Sequence, residues 1–415
     1  MKDSGVKWIG EIPKDWNLSK IGSYFIERNE KVSDLDYEPL SVTKGGVVPQ
    51  LETVAKSSDH NNRKLVLKGD FVINSRSDRK MSAGLAYSNG SVSVINTVIY
   101  SNTMSKEYTK YLLKNYSFAE EFYRWGSGIV ADLWSTRWDK MKNISIPVPA
   151  ITEQEKIAKK LDTLSNNINN IINETKLSIE ELKKYKQSII TEAVTKGLDP
   201  NVEMKDSGIE WIGKVPVNWF ISNLGRISTL SSGGTPASGN SQYYDGDIPW
   251  VRSLDLKEQK IFSTDRNLSE QGLSVISGGM VKKGTIVIAM YGGSGTIGNS
   301  GLLEIDASTN QAICSIKLHQ EYSNRFYFYF IQFLRPYWMI YAAGTRKDPN
   351  ISKQIVQKMP CVIPTVEEQG RIASYLDEQT SKIGKLIEDK EKVIEELENY
   401  KKSLIYEYVT GKKEV

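Results

Sequence analysis

Met1–Trp16 reads MKDSGVKWIGEIPKDW, and Met204–Trp219 reads MKDSGIEWIGKVPVNW. A chain that repeats a phrase of this length has to fold as two related halves, so the repeat constrains the architecture before any local propensity does. The repetition returns near the end of each half, where IEELKKYKQSII at Ile179–Ile190 is answered by IEELENYKKSLI at Ile394–Ile405. Between these shared ends the two interiors hardly match. One frame kept in duplicate around two divergent interiors is what a molecule needs if one geometry must present two different recognition surfaces.

At 415 residues the chain exceeds one ordinary core, and the duplication favours an even number of domains. A hydrophobic share of 39% with 25% charged residues places it among globular proteins, away from disordered or membrane classes. Its most apolar stretch, Phe326–Leu334, is too short to cross a bilayer, and no apolar signal core follows Met1. Cys314 and Cys361 are the only cysteines and His60 and His319 the only histidines, which excludes a disulfide framework and an ordinary zinc cluster. A reduced, cytoplasmic location is expected. Net charge is only +4, so any case for nucleic acid must rest on how charge is distributed. Acids concentrate toward the C-terminal end of each half, leaving the interiors comparatively basic.

Both interiors read as mixed α+β. Strand-like runs fall at Leu65–Leu67, Phe71–Asn74, Val92–Tyr100 and Ile144–Val148 in the first half. The second has Gly246–Ser253, Thr285–Tyr291, Gly301–Ile305, Ala312–Leu318 and Met359–Ile363. Each interior also carries one aromatic-studded helix, Lys106–Trp125 or Ser323–Tyr341, running into a glycine-bearing loop. Its aromatics are expected to fill a core rather than stack on bases. The repeated tryptophans Trp8/Trp211 and Trp16/Trp219 are kept while the interiors diverge, so they are assigned to the common scaffold.

Each interior leaves through a proline and enters a helix, at Ile146-Pro-Val-Pro-Ala-Ile-Thr-Glu-Gln-Glu and at Val362-Ile-Pro-Thr-Val-Glu-Glu-Gln-Gly. Apolar residues then recur at 3–4 spacing. The first series is Ile157, Leu161, Leu164, Ile168, Ile171, Leu182, Tyr185 and Ile189; the second is Ile372, Leu376, Ile383, Leu386, Val393, Leu397, Tyr400 and Leu404. A sustained period of 3.5 is a coiled-coil seam, with polar breaks at Thr175, Gln379 and Lys390. Helices of about 40 residues would be on the order of 60 Å long. The expected fold is α+β: two mixed α/β recognition domains separated by two long antiparallel coiled-coil helices, related by a pseudo-twofold internal repeat. The expected division is residues 1–150, the helix 151–197, residues 198–362 and the helix 363–415. The end of the second helix near Gly411 should lie close to the opening phrase.

Catalytic motifs are scarce. Gly293-Ser-Gly295-Thr-Ile-Gly298 matches a dinucleotide fingerprint, but Asn299-Ser-Gly-Leu-Leu-Glu-Ile-Asp continues as turn and strand instead of opening a helix. A glycine-bearing hairpin loop is expected there. There is no phosphate loop of the G-x-x-x-x-G-K-[ST] type, and Asp199-Pro-Asn and Asp348-Pro-Asn lack the second proline and aromatic of a base-methylating turn. A non-catalytic binding protein is expected, with no cofactor or metal site of its own.

Reading base edges needs Arg, Lys, Asn, Thr and similar donors on loops or helix starts. The first interior offers Asn74, Arg76, Arg79, Lys80 and Arg137; the second offers Thr235, Arg252, Tyr291, Thr345, Arg346 and Lys347.

With the two opening phrases, the Ser231-Ser-Gly-Gly-Thr-Pro and Tyr244-Asp-Gly-Asp-Ile-Pro-Trp250 runs, the helix entries after Pro149 and Pro364, and the paired long helices, the whole chain resembles the specificity subunit of type I restriction-modification systems. The first interior departs from that pattern in lacking an Ile-Pro-Trp run. The resemblance implies two target recognition domains, each reading one half of a bipartite, asymmetric site in double-stranded DNA, with the helices fixing the unread spacer. It further implies two DNA-methyltransferase (modification) subunits carrying S-adenosylmethionine, and restriction motor-nuclease subunits using ATP and Mg. The competing reading is a coiled-coil assembly scaffold without sequence-specific DNA binding.

Overall fold

The computed structural model describes residues 1–51, 60–128, 134–292, 295–342 and 350–415. In chain order its helices are α1 (Lys106–Leu112), α2 (Tyr116–Arg124), α3 (Trp138–Met141), α4 (Ile151–Lys196), α5 (Leu224–Ile227), α6 (Glu270–Ser274), α7 (Asn324–Ala342), α8 (Lys353–Lys358) and α9 (Val366–Val409). The chain forms two compact units, Met1–Lys176 with Lys390–Val415, and Leu177–Asp389. The boundary therefore falls inside each long helix and not at its ends, because the two halves of each apolar stripe are buried in different cores.

The repeated phrase folds the same way in both units. In the first, Lys2–Asp3 pairs with Glu11–Ile12; in the second, Met204–Asp206 pairs with Lys214–Pro216, both antiparallel. The tight return between these strands places Gly5 and Gly10, and likewise Gly208 and Gly213, at positive φ, which is the physical reason both glycines recur. Next, the first and last strands of each interior pair with each other: Asn17–Lys20 with Ser145–Val148, and Phe220–Asn223 with Pro360–Ile363. Each interior is thereby closed at its base, immediately before its proline-marked exit into α4 or α9.

Inside the first unit, Ala83–Leu85, Phe71–Asn74, Asn96–Tyr100 and Ile26–Glu27 form a four-stranded sheet, beside a three-stranded one of Gly90–Ser93, Arg63–Val66 and Lys31–Val32. The single run Val92–Tyr100 is thus two strands turned at Val94–Ile95. The second unit is built differently. A five-stranded sheet runs Ser228–Ser232, Ile313–Leu318, Ile286–Ala289, Ser300–Leu303 and Gln259–Ile261, the last pair parallel. The aromatic stretch read as one helix over Lys106–Trp125 is broken into α1 and α2. Asn115 makes the break: its Nδ2 donates to the Leu112 carbonyl at 2.7 Å, and its Oδ1 caps α2 by accepting from the Phe118 N–H at 2.8 Å. The aromatics do fill the cores, with Tyr108, Phe118 and Phe122 fully buried in one and Phe326, Tyr327, Phe330 and Trp338 in the other.

Three polar clamps recur in both units and seat each interior on its long helix. Trp16 Nε1 donates to Glu153 Oε2 at 3.1 Å, and Trp219 Nε1 to Glu368 Oε2 at 2.8 Å. Gln154 accepts from the Ser105 N–H at 2.9 Å while donating to the Pro149 carbonyl at 2.9 Å; Gln369 does the same with Ser323 and Pro364 at 2.8 and 3.0 Å. Tyr111 donates to Asp162 Oδ1 at 2.6 Å beside Lys110, and Tyr329 to Asp377 Oδ1 at 2.7 Å beside Arg325. Since buried carboxamides and indoles need partners, these clamps explain why Glu-Gln follows both prolines.

On the helices the buried stripe is one residue out of phase with the sequence reading at several steps. In α4 it runs through Ile157, Leu161, Ile168, Ile172 and Ile179, while Ile171 is 47% and Tyr185 59% exposed. In α9, Leu386, Val393 and Tyr400 are exposed, whereas Ile387, Ile394 and Leu397 pack against the cores. The ends near Gly411 and the opening phrase do lie together, with Tyr406 Oη and Lys412 Nζ both donating to the Ile9 carbonyl. No helix among the described residues is long and apolar enough to cross a membrane.

Candidate nucleic-acid interface

In the first unit the strand Phe71–Asn74 ends in a turn that Asn74 itself builds. Asn74 is buried, and its Oδ1 accepts from the Arg76 N–H at 3.0 Å, so its side chain shapes the loop instead of pointing outward. Tyr123 holds the same loop from beneath, donating to the Asn74 and Arg79 carbonyls at 3.3 and 3.2 Å; burial pushes its phenol above the usual range. Ser75 then accepts from the Thr136 N–H at 2.9 Å, and Arg76 forms a bridge with Ser135. This lateral stitching sets Arg76 next to Arg137, which stands in extended conformation just before α3.

Arg76 and Arg137 line one cleft of about 590 Å³, together with Lys31 and Lys64. Lys64 is tied to Glu27 at 3.1 Å, and Lys31 bonds Asn62. Both arginines are exposed, and among the described residues neither has a carboxylate at ion-pair distance. Two guanidinium forks at the mouth of one cleft, each free to offer paired N–H donors, can take phosphate oxygens or the O6/N7 edge of guanine. Lys31 and Lys64 carry no motif in the sequence, because only the pairing of Lys31–Val32 with Arg63–Val66 makes them neighbours.

The remaining residues of the first interior lie elsewhere. Arg79 pairs with Asp78 at 3.3 Å and Lys80 with Glu120 at 2.9 Å, and Lys80 lines a separate cleft of about 750 Å³ with Trp8, Tyr116 and Trp134. In the second unit the candidates do not converge. The Arg252 guanidinium sits between Asp255 at 3.6 Å and Asp265 at 3.7 Å, which offset its charge, and its backbone N–H donates to Asp255 Oδ2 at 2.7 Å. Thr235 donates to Gln311. Tyr291 is exposed, two residues beyond the strand Ile286–Ala289, with its phenol pushed up by what burial it has. Thr345, Arg346 and Lys347 lie outside the described residues. Sequence reasoning also passed over Arg266, whose guanidinium stacks over Tyr244 at 4.8 Å.

The glycine motif behaves as a hairpin: Ile286–Ile288 pairs antiparallel with Ser300–Leu302, and Gly295 and Gly298 take positive φ between them, with residues 293 and 294 outside the described set. Among the described residues between these strands no helix begins. Among the described residues no group of three or more His, Cys, Asp or Glu side chains is placed to hold a metal ion.

Two unlike α/β lobes, each closed at its base and clamped by the same polar contacts to a long helix, define a duplicated recognition scaffold. The comparisons with known proteins give that class its family. Residues 13–181 and 216–397 both match the type I restriction modification DNA specificity domain, and the chain belongs to that family. It is similar to a Methanocaldococcus jannaschii protein named as the MjaX specificity subunit of a type I restriction enzyme, at 24% identity over 97% of this chain and 95% of the relative. The MjaVIII specificity subunit of the same organism is 27% identical over 65% of this chain and 62% of its own length. Among solved structures, a chain from a study of complex assembly and conformational transition of the type I R-M system superposes with a TM-score of 0.74 at 14% identity, covering 96% of this chain and 98% of that one. The HsdS subunit of Thermoanaerobacter tengcongensis gives 0.53 at 15% identity, over 97% and 98%. These structural likenesses concern the fold.

Proposed function

We propose that this chain is the sequence-reading, non-catalytic subunit of a type I restriction-modification complex, with each interior recognising one half of a bipartite, asymmetric site in double-stranded DNA. One observation carries the reading: identical clamps seat two interiors whose sheets differ in strand number and order. A frame duplicated to that degree, with only the outward parts free to vary, suits a target made of two unrelated half-sites. α4 and α9, of 46 and 44 residues, would act as an antiparallel coiled-coil pair that sets the unread spacer. Two half-sites about 34 Å or more apart, one turn of duplex, fit helices of that length. Two modification subunits, supplying S-adenosylmethionine and flipping out the target adenine, would dock on the repeated frame, and motor-nuclease subunits using ATP and Mg would join for cleavage. Tyr185 and Tyr400 support a shared partner, being both repeated and exposed.

The test is a genome-wide map of modified adenines in cells with and without this gene, repeated with Arg76→Ala and Arg137→Ala. Deletion is expected to abolish modification at one bipartite motif. If an arginine reads guanine, its loss should cost about 1–3 kcal/mol and relax a single half-site, whereas a phosphate contact would weaken every site alike. A map unchanged by deletion would overturn the assignment.

A further inference from the structure

In the first unit the middle of α4, the last turns of α9 and the junction between α1 and α2 enclose a cavity of about 490 Å³ with an unusual lining. Four lysines reach it: Lys114 from the junction, Lys176 from α4, and Lys401 and Lys402 from α9. The α4 carboxamides Asn169 and Asn173 line it too, and Glu398 is its single carboxylate. Lys401 Nζ donates to Asn169 Oδ1 at 2.8 Å and Lys402 Nζ to Asn399 Oδ1 at 3.1 Å, so both ammonium groups rest on neutral oxygens. Lys114 is half-buried, and among the described residues neither it nor Lys176 has a carboxylate at ion-pair distance. Burial lowers the Lys114 ammonium from the ordinary lysine value and the charge of Lys401 lowers it further; burial lowers Lys401 as well, with Glu398 working against it.

Partly desolvated like charges that outnumber the one carboxylate beside them raise the free energy of the empty site, and an anion that meets them lowers that cost. The common frame does not require this arrangement. With Pro149 aligned on Pro364, the positions of Asn169, Asn173 and Lys176 are taken in the second half by Gly384, Glu388 and Glu391. On the same alignment Lys401, Lys402 and Glu398 correspond to Lys186, Gln187 and Lys183, so what is particular to the first half is the Asn169–Asn173–Lys176 face of α4.

We propose that this cavity binds a phosphate group. Four ammonium groups against one carboxylate exceed what a single side-chain carboxylate would neutralise. A tetrahedral oxyanion offers an acceptor to each donor around the wall, and lysine serves phosphate as a point charge. The group can come from a free phosphate or phosphorylated small molecule, or from the backbone of bound DNA. This site lies on the helical frame, shares no lining residue with the Arg76–Arg137 cleft, and goes beyond target reading.

The experiment uses the full chain as wild type, as K114Q/K401Q and as K114R/K401R. Inorganic phosphate is titrated calorimetrically at constant ionic strength, and affinity for a duplex lacking any target is measured against salt. A free-phosphate site gives one saturable event, weakened about tenfold or more in the Gln variant and retained in the Arg variant, with phosphate raising the thermal midpoint of wild type only. A backbone site gives no heat with phosphate but reduces the log–log salt slope of the Gln variant by about 0.9 for each DNA phosphate that is no longer neutralised. Without phosphate, the Gln variant is expected to melt no lower than wild type, because it removes a repulsion. Phosphate binding equal in wild type and the Gln variant, or neither heat nor a change in slope, overturns the proposal. A DNA-reading failure is separate: it would abolish duplex discrimination and leave the phosphate titration intact.

Discussion

At the scale of single residues, Asp377 shows how much one side chain does in holding a lobe to its helix. Burial alone would push its carboxyl up, but hydrogen bonds from Tyr329 and Arg325 and the charges of Lys260 and Arg325 outweigh that and hold it below the ordinary aspartate value. A group depressed in the folded state stabilises fully above its unfolded pKa, and that contribution is lost as pH falls through the folded one. Asp377→Asn should therefore cost about 1–3 kcal/mol at neutral pH, since it leaves Arg325 without its partner, and the difference from wild type should vanish in acid below the aspartate range. Urea unfolding across that pH range checks it; a deficit independent of pH would mean that the carboxylate charge is irrelevant. None of these clamps was legible in the sequence. Trp16 and Glu153 are 137 positions apart, and only the folding of the opening phrase against the helix entry makes them neighbours. What the sequence did carry was the pairing of recurring residues, Trp with Trp and Glu-Gln with Glu-Gln, without the bonds that explain it.

At the scale of elements, helix starts were readable because proline and capping chemistry are local: the exits at Pro149 and Pro364 lead into α4 at Ile151 and α9 at Val366. The phase of the stripe was not. Ile171 and Ile172, or Leu386 and Ile387, are adjacent apolar choices, and a helix of 3.6 residues per turn drifts against a 3.5 repeat, so the neighbouring core decides which is buried. Helix ends are set by glycine. Gly197 and Gly411 follow α4 and α9 with φ of +78° and +70°, as left-handed terminators do. Their substitutions should nonetheless differ. A Cβ on Gly411 would stand 2.3 Å from Pro13 Cδ, in the fixed ring of the opening phrase, whereas one on Gly197 would first meet the movable Glu368 Oε1 at 3.1 Å. Gly197→Ala is expected to cost about 1–2 kcal/mol for the backbone alone, and Gly411→Ala more, on the order of 2–4 kcal/mol, because the phrase must also shift. Comparing the unfolding midpoints of the two variants tests this, and equal losses would show that the packing against Pro13 is soft.

At the scale of the whole molecule, duplication was the most legible property and the reading surface the least. Repeats announce a frame through identity, while the residues that face a target vary by design and carry no signature in one chain. Hence Arg76 and Arg137 met in one cleft, yet Asn74 proved to be a loop builder and Arg252 a residue neutralised by Asp255 and Asp265. If α4 and α9 measure the spacer between half-sites, their length should be editable without touching either reader. Seven residues inserted in each helix, after Lys176 and after Asp389, keep every apolar position on its seam, whereas four would rotate the following stripe out of phase. Such an insertion lengthens each helix by about 10 Å, close to three base pairs of duplex. Mapping modified adenines for this variant is expected to reveal both half-sites unchanged and a longer gap between them. If the two helices pair as proposed, inserting seven residues in α4 alone should instead disrupt that pairing and lower the melting point. A double insertion that folds normally and still modifies sites of the original spacing would show that something other than these helices sets the distance.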